Sequence, residues 1–122
     1  MKPSEAIRKG APLVEENHVV YYAQKEGTMP CGCALGTAYV GEYGIPPLGS
    51  FADTTPEDDF ETISSALWAA EDAWRTPVEC PACEDEGEHI GGDALVSVVA
   101  FLHDLHQWSR EEIAIWLEGM GL

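Results

Sequence analysis

Apolar residues recur along this chain at helical spacing, interrupted by proline and glycine punctuation. Thr55-Pro56-Glu57-Asp58 places a cap, a proline at the first helical position and acid in the first turn. Phe60, Ile63, Leu67, Ala70 and Trp74 then step by three and four, which predicts a helix to about Arg75 with one stripe facing a core, ended by Thr76-Pro77. Leu95, Val98, Leu102 and Leu105 predict a second helix from an Asp93 cap to His106, with a strand over Leu95 to Ala100 as the alternative. Ser109-Arg110-Glu111-Glu112 is a capping-box sequence. It opens a final helix with Ile113, Trp116, Leu117 and Met120 on one face.

The first half is less regular. Ser4 reads as the cap of a short helix, Glu5 to Lys9, stopped by Gly10 and Pro12. His18-Val19-Val20-Tyr21-Tyr22 is β-branched and aromatic and predicts a short strand. Gly27 to Pro30 predicts a turn, Cys33 to Val40 a helix of small residues suited to close packing, and Gly41 to Gly49 a loop. The expected fold class is mainly α: one small helical domain over residues 1–122, held by a zinc knuckle, with at most a short β element.

Charge changes the picture more than composition does. There are 22 acidic and 6 basic residues, for a net charge of −16. Residues 53–93 carry 13 of the acids against Arg75 alone. Direct nucleic-acid binding is disfavoured, because affinity for phosphate comes from lysine and arginine. The last two predicted helices resemble a helix-turn-helix, but the second offers only Arg110 against Glu111, Glu112 and Glu118, too little for a DNA reader. A basic protein surface is the expected partner, met through residues 53–93. Ile115 falls off the main apolar face of its helix and reads as a partner or dimer contact. The oligomeric state is otherwise open. No segment reaches the roughly 20 apolar residues of a membrane span, and the N-terminal residues lack an apolar leader core. The expected location is therefore cytoplasmic, where thiols stay reduced and favour metal over disulfide.

The candidate chemistry is a metal site. Cys80-Pro81-Ala82-Cys83 forms a CxxC turn, and His103 and His106 stand three residues apart on the predicted helix. Thiolates and neutral imidazoles are the usual ligands of structural zinc, so Cys80, Cys83, His103 and His106 are the expected ligand set, with Asp104 able to orient a ring. The 19-residue spacer between Cys83 and His103 is longer than in a standard zinc finger. Cys31 and Cys33 supply an alternative closure with Cys80 and Cys83. As a redox dithiol, Cys80 and Cys83 are crowded by Glu79, Glu84, Asp85 and Glu86, which oppose the thiolate.

The C-terminal string from Leu102 to Leu117, together with Ser4 to Ala11, Cys33 to Ala38 and Cys80 to Cys83, resembles a group of small bacterial and phage proteins with no assigned activity. Thr37 replaces an alanine of that pattern, Phe101 stands where its first histidine falls and His103 where its asparagine falls. Cys80, Cys83 and His106 keep their places. The resemblance implies a compact knuckle protein and no reaction. The expected function is that of a non-enzymatic interaction or regulatory protein, for which a phage origin makes a host-directed role natural. The alternatives are an acidic nucleic-acid mimic that inhibits a host nuclease or polymerase, and a CxxC thiol oxidoreductase.

Overall fold

In a computed structural model the described residues are mainly α-helical, 52% helix, with short strands. The structure describes residues 1–51, 54–82 and 93–122. Among them, α1 (Pro3–Gly10), α2 (Ala34–Tyr43), α3 (Pro56–Ala70), α4 (Leu95–Asp104) and α5 (Arg110–Gly119) surround the core. The strands are two-residue pieces. β1 (Glu15–Glu16) pairs in parallel with β3 (Cys31–Gly32), and β2 (Tyr22–Ala23) pairs with the other edge of β3 antiparallel. β4 (Pro77–Val78) and β5 (Asp93–Ala94) form a separate antiparallel pair.

The closest packing joins α1 to α2. A Cβ built on Gly41 would sit 1.8 Å from the Ala6 carbonyl oxygen, and one on Gly10 would sit 1.9 Å from that of Thr37. Both helices therefore touch backbone to backbone, an approach only glycine permits. Ala6, Ile7, Ala34, Leu35 and Ala38 are buried around this contact. The small residues of Cys33 to Val40 thus do pack closely, as expected. The helix runs on to Tyr43, past the expected loop start at Gly41.

The helix starts follow local chemistry where capping groups were legible. Thr55 accepts from the Asp58 N–H at 3.1 Å. The Ser109–Glu112 box closes with bonds of 3.0 and 3.1 Å. Other boundaries differ from expectation, each for a physical reason. Helix α1 begins at Pro3 with Lys2 as its cap, because the fixed φ of proline suits the first helical position. Ser4 instead turns inward and its hydroxyl donates to the Leu122 carbonyl. The strand expected over His18 to Tyr22 is shortened to β2. The Asn17 side chain accepts from Val19 and Val20 N–H groups at 2.7 and 3.1 Å, and this local bend competes with strand pairing. Helix α3 stops at Ala70, and a 3-10 turn at Asp72–Arg75 delivers Trp74, fully buried, into the core. Burial of that large side chain outweighs continuation of the helix.

Helix α4 is a helix and not the alternative strand, with Leu95, Val96, Val98, Val99, Ala100, Leu102 and His103 buried. Asp93 does not cap it but lies in β5, and the Leu95 N–H is satisfied by the Thr76 carbonyl at 2.8 Å. The helix ends at Asp104, short of His106. Leu105 and His106 N–H groups both return to the Phe101 carbonyl, and Gln107 takes φ +60°. No helix among the described residues is long and apolar enough to cross a membrane.

Gly41→Ala should lower stability by about 2–3 kcal/mol, because backbone rather than a flexible side chain must yield. Ser109→Ala should cost about 1 kcal/mol through loss of the cap. Urea unfolding of the two variants against the parent checks both.

Candidate functional site

The polar centre of the molecule is assembled where β1, the bend after it, and the ends of α4 and α5 converge. His103, on the last turn of α4, has no exposed surface. Its Nε2 lies 2.9 Å from Glu16 Oε2 and its Nδ1 lies 3.4 Å from Asp104 Oδ1. The same Glu16 oxygen accepts the Arg110 backbone N–H at 2.8 Å, at the N-terminus of α5, where negative charge is favoured. Burial pushes the Glu16 carboxyl up. Hydrogen bonds from His103 and from the Arg110 N–H more than reverse this and leave it below its ordinary value. Glu16 is thus a carboxylate, and His103 Nε2 is the donor between them.

The His18 ring stacks on His103 with centroids 3.9 Å apart and planes at 20°. His18 Nδ1 lies 2.8 Å from the His103 carbonyl oxygen. A carbonyl only accepts, so Nδ1 carries a proton, and in the neutral ring Nε2 then keeps the lone pair. Donor atoms of Glu16, His18 and His103 all fall within 4.8 Å of one another. The Arg110 side chain secures the surroundings, donating to the Val14 carbonyl and, at 3.0 Å, to Thr37 Oγ1.

A groove adjoins this centre through Asp104. It encloses about 460 Å³ and is lined by Tyr21, Phe60, Ser97, Ala100, Phe101, Asp104 and Leu105. The Tyr21 and Phe60 rings are 5.5 Å apart at 48°. Phe101 and Leu105 are 39% and 58% exposed, so the groove is apolar and open, with one carboxylate in its wall. Burial first, then the nearby Asp104 charge, pushes the Tyr21 phenol up to about 12, which keeps it neutral and a hydrogen-bond donor.

The expected zinc ligands are described only in part. Cys83 and the acid run from Glu84 to Glu88 lie outside the described residues. Cys80 is buried in the apolar core. His106 stands beyond the end of α4 and so does not share a helix face with His103. Among the described residues, the group of donors brought together is Glu16, His18 and His103, and it includes neither Cys80 nor His106. The alternative closure through Cys33 meets an obstacle, because burial pushes that thiol up to about 12 and leaves it an apolar packing group. Glu16 and His18 carried no usable signal: a Glu-x-His in an irregular segment is common, and their partner lies 87 positions away from Glu16.

The chain matches no family model, no curated protein and no solved structure.

Glu16→Ala should destabilise by about 1–3 kcal/mol, because it leaves His103 Nε2 and the Arg110 N–H without their acceptor. Glu15→Ala, at the exposed neighbouring position, should change stability by less than about 0.5 kcal/mol. Chemical denaturation separates the two. Iodoacetamide labelling with peptide mass mapping should leave Cys33 unmodified in the native protein and modify it in denaturant.

Proposed function

We propose that this chain is a small acidic interaction protein that binds a basic segment of a partner protein, with an arginine or lysine side chain seated in the groove beside Asp104. The observation that carries this reading is the groove's chemistry. Aromatic faces of Tyr21, Phe60 and Phe101 surround a space with the Asp104 carboxylate in its wall. A cation over aromatic faces gains from the ring quadrupole, and more so when partly desolvated. The carboxylate adds a charge-assisted hydrogen bond.

The charge distribution supports the same partner class. Glu57, Asp58 and Glu61 lie exposed on α3, the helix that contributes Phe60. The arginines are engaged internally: Arg8 with Glu111 and Glu118, Arg75 with Asp72, and Arg110 with Val14 and Thr37. The field presented to a partner is therefore strongly negative, and it accelerates encounter with a basic surface. In this reading the acids steer and the groove anchors. Ile115, 57% exposed on α5, is a separate apolar point and is not required.

The test uses short peptides that alternate arginine or lysine with apolar residues, titrated by fluorescence anisotropy. Saturable binding should weaken as salt rises. Phe60→Ala and Asp104→Asn should each weaken it by about tenfold, the equivalent of about 1.4 kcal/mol. Binding that falls with salt but ignores both substitutions would remove the groove from the reading and favour the nucleic-acid mimic, which acts through surface charge alone. No binding to any cationic peptide would overturn the proposal.

A further inference from the structure

We infer that Glu16, His18 and His103 form a binding site for a divalent transition metal of the zinc type, distinct from the cysteine knuckle. Two imidazoles and one carboxylate are a donor set suited to zinc, and three protein ligands leave a fourth position for water.

Each donor residue also faces a hydrogen-bonding group other than the donor atoms of the cluster. His18 Nδ1–H is held by the His103 carbonyl at 2.8 Å, which leaves Nε2 as the ligating nitrogen. His103 Nδ1 faces Asp104 Oδ1 at 3.4 Å, so that carboxylate can hold a proton on Nδ1 once Nε2 gives up its own and ligates. Glu16 Oε2 is fixed by the Arg110 backbone N–H at 2.8 Å. Supports of this kind are what a metal site needs and what a chance cluster of surface acids lacks.

The separations fit the exchange of a proton for an ion. His103 Nε2 and Glu16 Oε2 are 2.9 Å apart, joined by one proton. Two ligands on a tetrahedral zinc, each at about 2.0–2.1 Å, are separated by roughly 3.3 Å. Entry of the ion takes the place of the Nε2 proton, the ring stays neutral by carrying its proton on Nδ1 toward Asp104, and the two ligand atoms spread by a few tenths of an ångström. The two rings lie stacked in nearly parallel planes, whereas two ligands of one tetrahedral ion approach it from different directions. Capture of the ion therefore opens the 20° angle between them, by rotation of His18, which is only half-buried at a bend. The net charge of −16 favours uptake of a cation.

This set shares His103 with the ligands expected from sequence, so substitution of His103 cannot tell the two sites apart. His18 and Cys80 can. The experiment is calorimetric titration of the chelator-treated full chain with Zn²⁺, and absorption spectroscopy with Co²⁺, on the parent, His18→Ala and Cys80→Ser, with circular dichroism to verify folding. One ion per chain is expected. His18→Ala should weaken binding at least tenfold while remaining folded, and Cys80→Ser should leave it unchanged. The Co²⁺ complex should lack a thiolate-to-metal charge-transfer band, and the His18 ring resonances should shift on Zn²⁺ addition. Should either variant fail to fold, the cobalt spectrum and the histidine resonances of the parent decide alone. A thiolate band, or loss of binding in folded Cys80→Ser, would assign the ion to the cysteines and overturn the inference. So would the absence of binding, or weak binding indifferent to His18→Ala.

Discussion

One carboxylate oxygen, Glu16 Oε2, joins three segments at the polar centre of the fold. It receives the imidazole at the end of α4 and the first backbone N–H of α5, and it does so from a strand only two residues long. Lost with that oxygen would be the acceptor for a fully buried histidine and for a helix terminus. Such groups are costly to leave unpaired in a low-dielectric interior. The direction of the last helix, the orientation of the His103 ring and the position of Asp104 beside the groove all follow from this junction.

The junction can form because β1 is held in place from the other side. Backbone contact between α1 and α2 at Gly10 and Gly41 brings the start of the chain against α2. Arg110 reaches back across the same region to Val14 and Thr37. Arg8, on the far side of α1, engages Glu111 and Glu118 of α5. A chain with so few cations thus uses two of its arginines, Arg8 and Arg110, as connectors between distant segments. Repulsion among the chain's many acids opposes compaction, while the apolar core, with Trp74, Leu35, Ile63, Leu67 and Leu102 fully buried, supplies the opposing drive.

Functionally, the polar centre and the groove are neighbours with Asp104 in common. Its carboxylate faces the His103 ring on one side and lines the aromatic groove on the other. The proposed anchor for a basic side chain and the inferred cation site thus rest on separate donor sets that meet at one residue. Occupation of the first by a partner and of the second by an ion would therefore be coupled through Asp104, and the same acidic field favours both.

Sequence by itself determined the helical class, the starts of α3 and α5, and the acidic character of the chain. Caps, prolines and apolar spacing act within one or two turns and can be read locally. It also singled out His103, which the structure places beside Glu16 and His18. The early stop of α3 was illegible, because no glycine or proline precedes it and only the core decides where Trp74 goes. The end of α4 was equally hidden, set by carbonyl sharing at Phe101 and a left-handed Gln107. Only the tertiary structure decided that Glu16 and His18 meet His103, across 87 and 85 positions of chain. A contact of that range is set by the summed packing of the elements between its ends, which no local pattern encodes.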